Sequence, residues 1–206
     1  MTDQTDLAAL LGSRLCHDLI SPLGAIGNGV ELLMLDGAAD RPEVALIAQS
    51  VASANARIRF LRVAFGVAST DQRLGSPEIT GLLTDWTAGG RLSVDWRAAG
   101  DHARADVQRA FLALMCLEPA LPLGGSIVVT LGGEGWAFAA TGRRLRLEGL
   151  PFDLLTDPAA RHDLTPPQVQ FGLLREALLR GPGLARLEPS DGALTLGYGA
   201  RAPVAA

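Results

Sequence analysis

The sequence predicts an α + α/β chain: an N-terminal helical hairpin over 1–70, then an α/β sandwich over 76–200. Three observations carry this expectation. Apolar residues recur at helical spacing from about Thr5 to Ala68. A turn-rich stretch, Ser69 to Pro77, interrupts that rhythm. Beyond it, short helical and strand-like runs alternate, the pattern of a sheet with helices on one face. A chain of 206 residues has room for two small domains, each with a core of its own.

In the hairpin, Leu7, Leu11, Leu15, Leu19, Pro22, Ile26, Val30 and Leu33 form one apolar stripe. Asp36-Gly37-Ala38-Ala39 breaks it. Asp40 then offers an N-cap, with Glu43 three positions on completing a capping box. Val44, Ile47, Val51, Ile58, Leu61 and Phe65 continue a second stripe. One hairpin cannot bury two such stripes, so a four-helix bundle made by two copies of the chain is expected. In the sandwich, the pattern predicts helices over Glu78–Thr87, Ala103–Leu117 and Pro166–Arg180. Strands are expected at Arg91–Arg97, Ser126–Leu131 and Trp136–Thr141. A closing hairpin, Leu184–Leu187 with Ala193–Tyr198, turns at Ser190-Asp191-Gly192. The tail, Gly199 to Ala206, reads as loose.

Composition narrows the function. The net charge of -4 gives no basic footprint for nucleic acid. The start, MTDQTDLAAL, lacks the basic, then apolar, design of a signal peptide. The most apolar window, Phe111 to Leu131, is interrupted by Glu118, Pro119, Pro122 and Gly124-Gly125 and cannot form a single membrane span. A cytoplasmic protein with no membrane contact is expected. Cys16 and Cys116 read as reduced core thiols, neither disulfide nor metal ligands.

The chemistry concentrates at Cys16-His17-Asp18-Leu19-Ile20-Ser21-Pro22. On a helical wheel of about 100° per residue, His17 falls opposite the apolar stripe, with Ser13, Arg14, Ser21, Gly24 and Asn28. An ordinary surface histidine is the bland reading. Against it, Asp18 can fix the tautomer that leaves one ring nitrogen nucleophilic. Pro22, Gly24, Gly27 and Gly29 also break helix rules within eight residues, a mark of functional sites. Gly24 lies on the face of His17, where its missing side chain leaves room for a docking protein. The alternative, a helix ending near Pro22, is opposed by Ile26, Val30 and Leu33, which keep the stripe in phase.

Ser13 to Pro22 resembles the phosphoacceptor box of two-component histidine kinases, His-acidic-x-x-x-Pro. With Arg59 to Val67 (RFLRVAFGV) closing the second helix, the chain resembles the ChpT-type histidine phosphotransferases of alphaproteobacteria. The resemblance implies that a dimeric helical bundle carries the histidine. It implies that each chain adds a domain shaped like the kinase ATP-binding (Bergerat-type) domain, degenerate and inactive toward ATP. The implied activity is a relay: His17 takes a phosphoryl group from the receiver-domain aspartate of a hybrid kinase and passes it to response-regulator aspartates. Asp18 would orient the ring. Arg14, Ile20, Ser21, Gly24 and Asn28 are the candidate partner-binding residues, and the magnesium would come with the receiver domain.

The residues also bear on ATP directly. A kinase ATP-binding domain needs asparagines to hold magnesium and phosphates, and the only two here are Asn28 and Asn55, both in the hairpin. The equivalent helix, Arg109 to Glu118, is almost wholly apolar, leaving a triphosphate without ligands. Ala140-Thr141-Gly142-Arg143-Arg144 stands where an adenine-reading aspartate belongs, and the stretch around Pro166 to Gly172 lacks a glycine cluster. No cofactor or metal ligand of the chain's own is expected. Gly181-Pro182-Gly183 reads as a turn, and His102 and His162 as solvated loop residues. Two rival functions are an ATP-dependent autophosphorylating kinase core and an adaptor that binds receiver domains without taking phosphate.

Overall fold

A computed structural model describes residues 7–38, 41–69 and 71–199. Helix α1 (Leu7–Leu33) runs unbroken through Pro22, whose missing N–H leaves the Asp18 carbonyl without its usual partner. A π-helical turn, Met34–Ala38, ends it, with Gly37 at φ 92°. Helix α2 (Pro42–Phe65) starts on a proline in its first turn. Arg41 occupies the N-cap without a side-chain hydrogen bond. The expected cap by Asp40, the start near Thr5 and most of the tail lie outside the described residues.

The two helices run antiparallel. A Cβ added to Gly12 would meet Phe65 at 3.0 Å, and one on Gly27 would meet Val51 at 3.4 Å. The inward side of α1 is therefore built from small and medium residues, including buried Cys16 and Val30. Most of the apolar stripe read from the sequence faces outward. Leu11, Leu15, Leu19, Ile26 and Leu33 are each half exposed or more. Ile47 on α2 is exposed as well. A lone hairpin buries only one side of each helix, and close approach selects glycine for that side. By length and composition, Leu10–Gly37 is apolar enough to cross a bilayer.

Past the hairpin come β1 (Arg73–Gly75), α3 (Ser76–Thr87), β2 (Leu92–Trp96), β3 (Asp101–Ala103) and α4 (Arg104–Leu117). They are followed by β4 (Gly125–Gly132), β5 (Gly135–Thr141), α5 (Asp153–Thr156), α6 (Val169–Leu179), β6 (Arg186–Ser190) and β7 (Ala193–Tyr198). Five strands form one sheet in the order β2-β4-β5-β7-β6, parallel at β2–β4 and antiparallel elsewhere. Ile127, Val129, Phe138, Leu194 and Leu196 alternate inward and meet Phe111, Leu114, Phe171 and Leu174 from α4 and α6 in one core. The apolar run from Phe111 to Leu131 is thus divided between α4, a 3₁₀ turn and β4. The last hairpin turns on Asp191-Gly192, with Gly192 at φ 70°.

The pair β1–β3 is antiparallel and was not expected from the sequence. It corrects the reading of His102. That ring is buried, lies 5.8 Å from Trp96 and 5.2 Å from Trp136, and its Nε2 is 3.3 Å from the Ala98 carbonyl. Two tryptophans distant in sequence enclose it, which no local pattern reveals. His162 is partly exposed, and its Nε2 lies 2.8 Å from Asp153 Oδ2. Cys16 and Cys116 are buried free thiols, and burial pushes both upward in pKa, Cys116 strongly.

The hairpin is fastened to the sandwich at the C-terminal end of α2. Phe60 stacks between Trp86, at 4.1 Å, and Phe111, at 4.6 Å. Gln108 Nε2 donates to the carbonyls of Ala64 (3.2 Å) and Gly66 (2.9 Å), and the Val67 N–H donates to Ser13 Oγ at 3.1 Å. These contacts fix α1, and with it His17, against the second half of the chain.

Candidate functional site

His17 projects from the middle of α1 with 82% of its side chain exposed. Its Nδ1 lies 3.2 Å from Asp18 Oδ1. An ionised carboxylate only accepts, so Nδ1 donates, and in the neutral ring that tautomer leaves the lone pair on Nε2. The other Asp18 oxygen accepts from Arg14 Nε at 2.7 Å. One carboxylate therefore bridges the guanidinium and the ring. Its hydrogen bonds, first to His17 and then to Arg14, hold Asp18 below the usual aspartate range. The outcome is an outward imidazole whose Nδ1 is held by Asp18 and whose Nε2 is left unengaged.

The other expected residues fall in two groups. Ile20 and Ser21 share with His17 the lining of a cleft of about 640 Å³ between α1, the end of α2 and the start of the sandwich. Gly24 and Asn28 lie further along α1, outside that cleft, and a Cβ on Gly24 would meet nothing within 4 Å. Arg14 is turned toward Asp18. Sequence reasoning missed Arg62, Arg73 and Arg104, which line the cleft with His17. Arg62 belongs to the RFLRVAFGV stretch, a signal that was present. Arg104 opens α4 and gives none. Its guanidinium is buried, Nη2 donates to the Arg62 carbonyl at 2.8 Å, and Nη1 has no partner among the described residues. Burial first, then the neighbouring Arg62, lowers the pKa of Arg104. No group of three or more His, Cys, Asp or Glu side chains able to hold a metal occurs among the described residues.

An exposed, carboxylate-oriented histidine on a helical hairpin, backed by a mixed helix and sheet unit, is the constitution of a histidine phosphotransferase. The family profile described as Histidine phosphotransferase C-terminal domain matches residues 76–180. The chain belongs to the ChpT-type histidine phosphotransferases of phosphorelays. It is 34% identical over 171 residues to Protein phosphotransferase ChpT of Brucella abortus (strain 2308), covering 80% of this chain and 81% of that one. A solved bacterial phosphotransferase superposes with a TM-score of 0.67 at 27% identity, covering 96% of this chain and 98% of the other.

Proposed function

We propose that His17 is the phosphoacceptor, taking phosphoryl from a receiver aspartate of a hybrid kinase and delivering it to response-regulator aspartates. The carrying observation is the Arg14–Asp18–His17 chain, which leaves Nε2 unengaged on a ring that is mostly exposed. In the forward step Nε2 attacks the acyl phosphate in line. The N–P bond forms, the P–O bond to the aspartate breaks, and the carboxylate leaves; the onward step is the reverse on another receiver. Asp18 holds the Nδ1 proton and stabilises the cationic ring. Catalysis here is mostly positioning, with magnesium brought by the receiver's own acidic pocket. Ile20, Ser21, Gly24 and Asn28 present the surface that such a receiver meets.

The second half of the chain, over 76–200, is a degenerate kinase ATP-binding-like unit that takes no nucleotide. In support, α4 turns Val107, Ala110, Phe111 and Leu114 onto the core and carries no asparagine to hold magnesium and phosphates. The segment after β5 sends Leu145, Leu147, Leu150 and Leu164 onto the core and buries Phe152, Leu154 and Leu155. Apolar filling of this kind opposes a triphosphate. A homodimeric four-helix bundle, formed by the hairpins over 1–70, accounts for the exposed stripe Leu11, Leu15, Leu19, Ile26 and Leu33. Arg14, His17, Asp18 and Glu31 on the same helix favour a second copy over lipid, in the cytoplasm.

The test is label transfer from a phosphorylated receiver domain. The wild-type chain is expected to take label and His17→Ala to take none while remaining dimeric. Label on His17→Ala equal to wild type would refute the assignment. Label from ATP alone would favour the kinase reading, and receiver binding without label the adaptor.

A further inference from the structure

The cleft beside His17 has the opposite sign to the protein. The chain carries a net charge of -4, yet Arg62, Arg73 and Arg104 line this cleft against Glu78 alone. None of the three has a carboxylate partner among the described residues. Arg73 Nη2 donates to the Asp101 carbonyl at 2.6 Å, a neutral acceptor. Arg62 has no carboxylate partner among the described residues. Arg104 is 94% buried, since only 6% is exposed, and among the described residues its guanidinium has one hydrogen bond, to the Arg62 carbonyl. Its Nη1 is both shut from solvent and unpartnered. A buried guanidinium without a counter-charge, set beside a second arginine, is a costly arrangement that an incoming anion relieves.

We infer that this cleft is the seat of the phosphoryl group while His17 carries it, with Arg62 and Arg73 engaging its oxygens from the walls and Arg104 supplying charge from the floor. The inference rests on His17 being the phosphoacceptor. That group is tethered at the cleft's own lining, is strongly anionic, and offers the acceptor oxygens that guanidinium forks fit. The negative neighbour, Asp18, is already committed to Arg14 and Nδ1. The cleft thus separates two tasks: Asp18 orients the ring, and the arginines hold what the ring receives.

The experiment uses the full chain without any partner protein. Phosphoramidate loads histidine chemically: Nε2 forms the N–P bond, the P–N bond of the reagent breaks, and ammonia leaves after taking a proton from solvent. Loading of residue 17 is followed by mass spectrometry for wild type, Arg62→Gln, Arg73→Gln and the double variant. Each lost charge is expected to slow loading about threefold, the Coulomb effect at roughly 6 Å near water, and the double variant about tenfold. Diethyl pyrocarbonate, which is uncharged and also attacks the free ring nitrogen, should modify His17 equally in all four. Added salt should slow the wild type and leave the double variant nearly unchanged. Arg104→Gln is included, and if it fails to fold the two wall positions still decide the matter.

Wild-type loading rates in the double variant would overturn the inference, as would a parallel loss with the neutral reagent. Normal loading by phosphoramidate together with slow transfer from a phosphorylated receiver would assign the arginines to the partner instead, and overturn it too. Failure of the wild type to load at residue 17 would sink the phosphoacceptor reading itself, a result distinct from the others.

Discussion

Replacing Phe60 by alanine should detach the hairpin's anchor. The ring is fully buried and stacked on Trp86 and Phe111, so it ties α2 to both α3 and α4. Truncating a buried phenylalanine costs about 3–5 kcal/mol in lost transfer energy plus cavity. Phe60→Leu keeps most of the apolar volume and gives up the two ring pairs, for about 1–3 kcal/mol in all at 0.5–1.5 each. For a chain of this size, about 4 kcal/mol corresponds to a fall in Tm of roughly 8–16 °C. Urea unfolding followed by tryptophan fluorescence reads the change directly, because Trp86 is a stacking partner. Protein concentration is held constant, because the proposed homodimer would feed into apparent stability. A cost below about 1 kcal/mol for Phe60→Ala would refute the claim that this stack joins the two halves.

Three further outcomes follow from the site and its surroundings. Gly24→Ala should raise Tm, because the position is open and alanine favours helix by about 1 kcal/mol, while slowing transfer from a receiver that docks there; a variant with unchanged transfer would remove Gly24 from the docking surface. Asp18→Asn should slow labelling from a phosphorylated receiver by about 10–100-fold, the range seen when the carboxylate behind a metal-bound histidine is removed, and wild-type rates would contradict a pinned tautomer. Asp153 is held below the usual aspartate range by its hydrogen bond to His162. Its contribution is present above the ordinary aspartate pKa and lost as pH falls through the lowered one. The Tm gap between wild type and Asp153→Asn should therefore be small but measurable near neutrality and close in acid; a gap that widens in acid would reverse the sign.

Much of the fold was legible because periodicity survives in long elements. Ile26, Val30 and Leu33 kept α1 in phase across Pro22, and β5 alternates cleanly from Gly135 to Thr141. Periodicity did not say what each stripe packs against. Leu11, Leu15 and Leu19 read as core, yet within one chain the antiparallel contact uses Gly12, Cys16 and Gly27, because small residues let helices approach closely. Strands of three residues, such as β1 and β3, carry no period at all. His102 was misread because the enclosing rings of Trp96 and Trp136 come from separate strands. At the site, His17 and Asp18 were readable since their contact is local. The arginine cleft was not, because Arg62, Arg73 and Arg104 converge only through the docking of α2 on β1 and α4.

The central claim is that residue 17 carries the transferred phosphate. The most direct measurement is tandem mass spectrometry, under neutral conditions that preserve phosphohistidine, on the chain after mixing with a phosphorylated receiver domain. An acid-labile, base-stable phosphate is expected on His17 and on no other residue. Phosphate found on His102 or His162, or a chain that binds the receiver and stays unmodified, would contradict it.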